Sequence, residues 1–89
     1  MLFGGETAES YYEEGLTSSI KGDYEQALVF FHKALSLNPA FAAAHHQIAK
    51  TYIRLGAFQK AIDALNQAVA LMGRKTSALA HLAQAYYLL

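Results

Sequence analysis

GDYEQALVFFHKALSL, residues 22–37, returns in altered form as GAFQKAIDALNQAVAL, residues 56–71. Gly22 matches Gly56, Ala27 matches Ala61, Ala34 matches Ala68 and Leu37 matches Leu71, each at an offset of 34 residues. Within the first copy, Tyr24, Ala27, Leu28, Phe31, Ala34, Leu35 and Leu37 are apolar or small at steps of three and four. That spacing marks one face of a helix. Phe58, Ala61, Ile62, Leu65, Ala68, Val69 and Leu71 keep the same face in the second copy. No stretch alternates with period two, so no strand is expected.

Working outward, glycine and proline cut the chain. Pro39 follows Asn38, a turn signal, and disfavours helix in the residue before it. Gly22 precedes Asp23, a residue type suited to a helix N-cap. Gly56 and Gly73 each follow an apolar-periodic run, where a helix end accepts glycine best. The cuts leave five amphipathic segments: 8–21, 24–37, 42–55, 58–71 and 76–89. Turns as short as those between them force neighbouring helices into antiparallel pairs. The expected fold class is all-α, with residues 8–89 as one domain and 1–7 as a tail.

At 89 residues, one domain is the upper bound. The 54% hydrophobic share argues for a packed helical protein and against disorder. There is no cysteine, which removes disulfides and thiolate metal sites. That suits a reducing, cytoplasmic setting, although exported proteins also lack cysteine. No apolar run reaches the ~20 residues needed to cross a bilayer, so no membrane role is expected. Residues 1–10 have neither the basic start nor the apolar length of a signal peptide.

Formal charge is zero but segregated. Glu6, Glu9, Glu13, Glu14, Asp23 and Glu25 outweigh Lys21 and Lys33 in the first half. Lys50, Arg54, Lys60, Arg74 and Lys75 outweigh Asp63 in the second. Such a dipole steers charged ligands or a second copy, or simply marks solvated helix faces. There is no lysine- or arginine-rich run, so no nucleic-acid partner is expected.

A 34-residue period of helix–turn–helix units resembles the tetratricopeptide repeat family. In the unit 42–75, His45, Ile48, Ala49 and Tyr52, then Ala61, Leu65 and Ala68, stand at the family's characteristic places. In the unit 8–41, Tyr11, Gly15, Ala27, Phe31, Ala34 and Pro39 do so. A third unit opens at 76, with Leu79, Leu82, Ala83 and Tyr86 fitting its first helix. The resemblance implies a short right-handed superhelix of stacked hairpins whose first helices line the concave side. Gly15 with Ala27, and Ala49 with Ala61, fall where paired helices cross. Ala34 and Ala68 fall where the next unit stacks. Glu14 and Ser18 depart from the family's large apolar preference and are expected to leave the first helix wetter. Gly73 stands where the family has its closing proline.

Chemistry beyond binding is poorly provided for. His45 and His46 are adjacent and diverge by about 100° on a helix. No two histidines have the i, i+4 spacing of a helical zinc pair. His45 takes a core aromatic position, and His32 reads as a surface residue. Ser10, Ser18 and Ser19 have no activating base at a useful spacing. Glu13 and Glu14 diverge and form no acid–base pair. No enzyme activity, metal or cofactor is expected.

The resemblance instead implies a groove for a partner peptide or helix. By position it displays Tyr12, Glu13 and Leu16, with Ser19 and Ile20, from the first unit. His46, Gln47, Lys50, Ile53 and Arg54 come from the second, and His81, Gln84 and Tyr87 from the third. In one branch of the family, basic and amide side chains clamp the terminal carboxylate of heat-shock chaperones. Those positions here hold Tyr12, Leu16, Gln47, Ser77 and His81, so that clamp is not expected. A structural alternative is self-association, a homo-oligomer formed through Leu79, Leu82, Tyr86 and Leu89 on the apolar last helix.

Overall fold

The computed structural model describes residues 6–72, 87 and 88. Four helices run in order: α1 (Ala8–Ile20), α2 (Tyr24–Leu37), α3 (Ala42–Leu55) and α4 (Phe58–Met72). There is no strand among the described residues. α1 packs on α2, α2 on α3 and α3 on α4, so two helix hairpins lie side by side with α2 and α3 at the junction. The expected fifth helix, 76–89, lies outside the described residues apart from Tyr87 and Leu88, which are helical.

The repeat is visible atom by atom in the turns. The Gly22 amide donates to the Ser19 carbonyl at 3.0 Å and the Asp23 amide to the Ser18 carbonyl at 2.9 Å. Moving 34 residues on, Gly56 donates to Ile53 at 3.1 Å and Ala57 to Tyr52 at 2.9 Å. Both pairs close a helix end in the Schellman pattern, which needs a left-handed residue. Gly22 at φ 84° and Gly56 at φ 78° supply it. A side chain there would cost about 1–2 kcal/mol of backbone strain, which explains why glycine recurs at this point of each unit.

Asp23 stands at the N-cap of α2, as its residue type suggests, but without a side-chain cap. α2 begins on backbone geometry alone, with the Ala27 amide donating to the Asp23 carbonyl at 2.9 Å. α1 is the helix with a side-chain cap. The Ser10 amide donates to Thr7 Oγ1 at 3.0 Å and the Thr7 amide to Ser10 Oγ at 2.9 Å. This is a capping box in which serine takes the place of the usual Glu or Gln, and it ties Thr7 to the first turn of α1.

Two buried clusters form the core. Ala27, Leu28, Phe31 and Ile48 make the first, which joins α2 to α3. Ala49, Ala61, Ile62, Leu65 and Ala68 make the second, within the α3–α4 hairpin. Tyr52 packs against both. Ala27, Ala34, Ala61 and Ala68 are all fully buried, as the crossing and stacking roles require. Gly15, expected opposite Ala27, is covered by Phe31: a Cβ built on it would lie 2.5 Å from Phe31 Cε1. At the matching places of the second unit stand Ala49 and Leu65. One hairpin thus fills the space with a large ring over no side chain, the other with a smaller side chain over a methyl. Ser18 is buried, and the buried share of α1 is otherwise only Ala8 and Gly15, so α1 is the more solvated helix.

Candidate functional site

A cleft of about 480 Å³ opens between α1 and α3 and reaches the first turn of α2. α1 contributes Leu16, Ser19 and Ile20; α3 contributes Gln47, Lys50, Thr51 and Arg54; α2 adds Tyr24. The helical step explains the selection. Residues 16 and 20 share a stripe of α1, and residues 47, 50 and 54 share a stripe of α3. The opposite stripes of α3 carry Ile48, Ala49 and Tyr52 into the core. Core packing therefore sets which side chains of α3 are presented. Thr51, buried, donates its hydroxyl to the Gln47 carbonyl at 2.8 Å, so that hydroxyl is already engaged within α3.

Of the residues expected in a groove, the cleft brings together Leu16, Gln47, Lys50 and Arg54, with Ser19 and Ile20. Others lie elsewhere. Tyr12 is half-buried as a structural ring, stacked on Phe41 with centroids 5.0 Å apart and tilted on Phe31 at 5.8 Å. It ties α1 to α2 and to the turn before α3. Ile53 packs against the α3–α4 cluster. His46 is half-buried on α3. Glu13 lines a separate cleft on the outer flank of the first hairpin, with Glu14, Thr17, Lys21 and Phe30. Tyr87 is 90% exposed. His81 and Gln84, together with the self-association residues Leu79, Leu82, Tyr86 and Leu89, lie outside the described residues.

Sequence reasoning left Tyr24 and Thr51 out of the site. Spacing puts Tyr24 on the apolar face of α2, yet it is half-buried and lines the cleft from the start of that helix. Its position directly after the α1–α2 turn was the available signal, since that turn ends where the groove does. Thr51 gave none: it is the one small polar residue of α3, and its type alone does not mark a binding role.

The remaining polar chemistry is structural. His45 is half-buried and its Nε2–H donates to the Pro39 carbonyl at 3.1 Å, which ties α3 to the preceding turn. His32 is exposed. Tyr11 stacks on Phe30 with Lys33 Nζ 5.5 Å from its ring centroid, and its hydroxyl donates to Glu6 at 3.2 Å. Desolvation of that hydroxyl, and then the charge of Glu6, raise its pKa above the usual tyrosine value, so it stays protonated at neutral pH. Among the described residues, no three His, Asp or Glu side chains are grouped to hold a metal ion. No helix among them is long and apolar enough to cross a membrane.

Comparison with known proteins agrees with this architecture. The tetratricopeptide repeat family model matches residues 20–86. An uncharacterised protein of Methanocaldococcus jannaschii, MJ0572, is 41% identical over 54 residues, which make up 61% of this chain and 63% of that protein. The crystal structure of MamA superposes with a TM-score of 0.89 at 24% identity over 94% of this chain. This chain spans 49% of MamA. The first TPR of Spaghetti (RPAP3), solved bound to the HSP90 peptide SRMEEVD, superposes with a TM-score of 0.89 at 26% identity. That match covers 96% of this chain and 68% of the other.

Proposed function

The chain belongs to the tetratricopeptide repeat family, and from there we propose that it is a non-enzymatic interaction scaffold. It holds a partner's peptide or helix in the groove between the first helices of successive hairpins. The observation that carries this is the cleft itself, which gathers Leu16, Gln47, Lys50 and Arg54 from two helices far apart in sequence. A surface that is preformed needs little ordering when it binds, so apolar contact and polar pairing translate more fully into affinity. The peptide-bound RPAP3 unit, with the same fold, supports a peptide as the occupant. The groove here is built differently from a terminal-carboxylate clamp, with Tyr12 engaged in packing and Leu16 and Gln47 at two of the clamp positions. The folded unit on this reading runs from residue 8 to residue 89, with a third unit opening at 76.

The test is amide shift mapping. A peptide selected from a displayed random library is titrated into the isotope-labelled chain. Shifts should cluster on Leu16–Ile20 of α1 and Gln47–Arg54 of α3. Shifts centred instead on the opposite face, at His32, Tyr52, Lys60 and Asp63, would place binding between α2 and α4 and contradict the proposal. Recovery of no peptide at all would contradict it equally.

A further inference from the structure

The cleft between α1 and α3 has two unlike walls. On α1, Leu16 and Ile20 form an apolar ridge, and Ile20 is 87% exposed. On α3, Lys50 and Arg54 form a cationic ridge. Both pairs are spaced i, i+4, so their side chains stand roughly 6 Å apart along each helix. α1 and α3 each pair antiparallel with α2 and therefore run in the same sense, which sets the two ridges side by side. No Asp or Glu is among the described residues lining this cleft. Arg54, in the last turn of α3, also offsets the partial negative charge of the helix end. Lys50 lies a turn further in, where that effect has faded.

Resting on the groove reading above, we infer that this cleft selects an acidic amphipathic helix. Two carboxylates one turn apart meet Lys50 and Arg54, while apolar side chains on the adjoining stripe cover Leu16 and Ile20. Neither ridge alone would be selective. An exposed ion pair contributes little, and an apolar contact accepts many partners. Their parallel course at matched spacing is what selects. The chain's own α1 also carries glutamates four apart, the exposed Glu9 and Glu13. Beside those glutamates, however, the Tyr12 ring is taken up by Phe41 and Phe31, and Leu16 is already half-buried against the same core. On α1 of a second copy, Ile20 alone of that stripe stays largely free, about two turns beyond Glu13, so a separate acidic helix is the occupant.

The probe is a synthetic 14-residue helical peptide with both ends capped, two Glu four apart and Leu on the adjoining stripe. Fluorescence anisotropy at low salt reads its affinity. Replacing both Glu by Gln, or the Leu residues by Ser, should each weaken binding at least tenfold. Ile20→Ser should reproduce the loss from the Leu-to-Ser probe. Lys50→Glu with Arg54→Glu should reverse the preference, so that a probe with Lys in place of Glu binds better. Lys50→Gln with Arg54→Gln should lose the Glu preference without reversal, and covers the case in which charge reversal disturbs the half-buried Lys50. Glu and Gln probes binding within twofold of one another would overturn the inference, as would no binding of any probe. It would also fall if a free C-terminal carboxylate replaced the need for the paired Glu. A dimer in sedimentation that the Lys50 and Arg54 substitutions dissolve would make a second copy the occupant and overturn it. If the library still yields groove binders without carboxylates, only this inference fails. If it yields none, the groove reading fails as well.

Discussion

Phe31→Ala should lower the unfolding free energy by about 3–5 kcal/mol, the usual loss for a fully buried phenylalanine, read as a fall in the denaturation midpoint. A domain of this length holds about 4–13 kcal/mol in all, so the variant is expected to be partly unfolded at physiological temperature. The upper end of the range is favoured because the ring lies over Gly15, which has no side chain to relax into the void. Tyr12 would lose the ring it leans on, and with it the tie through Phe41 to the turn before α3. The α1 wall of the cleft would shift as a consequence. Gly15→Ala tests the same contact from the other side. It should cost about 1–3 kcal/mol through overpacking, although alanine is the better helix former by about 1 kcal/mol. Gly15→Ala with Phe31→Leu recreates the Ala49–Leu65 arrangement of the second hairpin and should recover part of the loss. Additive losses in that double-mutant cycle would show that the two sites do not touch.

Ala61→Leu should cost about 2–3 kcal/mol, near the top of the range for methylenes forced into a filled core. Ala61 is fully buried in one cluster with Ala49, Ile62, Leu65 and Ala68. Leucine adds three carbons to a site that is fully buried between α3 and α4. The helices must separate or the side chain must leave its rotamer. Ala49→Gly in the same chain should return some of this by clearing a methyl, less about 1 kcal/mol for glycine within a helix. Ala70→Leu is the control: it sits on the exposed side of α4 and should leave stability nearly unchanged. Equal losses at positions 61 and 70 would mean that α4 packs on a different face.

The helices were legible because their ends are chemical. Segments 24–37 and 42–55 coincide with α2 and α3, and segments 8–21 and 58–71 differ from α1 and α4 by one residue each. Gly22 and Gly56 are required by left-handed backbone, and Pro39 interrupts a helix, so spacing alone finds them. The alanine positions were legible for a similar reason, since a small side chain recurring at a fixed place signals close approach. Partners across space were not. Periodicity says that Gly15 faces a neighbour but not that the neighbour is Phe31. It says that Tyr12 lies on the inner stripe but not that Phe41 claims its ring. Glu13 is assigned to the groove by position, yet a helix stripe is broad and its edge residue opens onto the outer flank. The N-cap of α1 escaped notice because serine at the third position stands in for the usual acid.

Ala27, Ala34, Ala61 and Ala68 sit inside a stack of nested hairpins, and that stack sets α1 and α3 on either side of the cleft. Because the chain has no cysteine, single Ala→Cys variants at these four positions, and at the exposed Ala40 and Ala70, report burial through thiol labelling rates under native conditions. The four buried sites should react orders of magnitude more slowly than the two exposed ones, and only through opening of the fold. Labelling of the four at the rate of Ala40→Cys and Ala70→Cys would contradict the stack, and with it the groove.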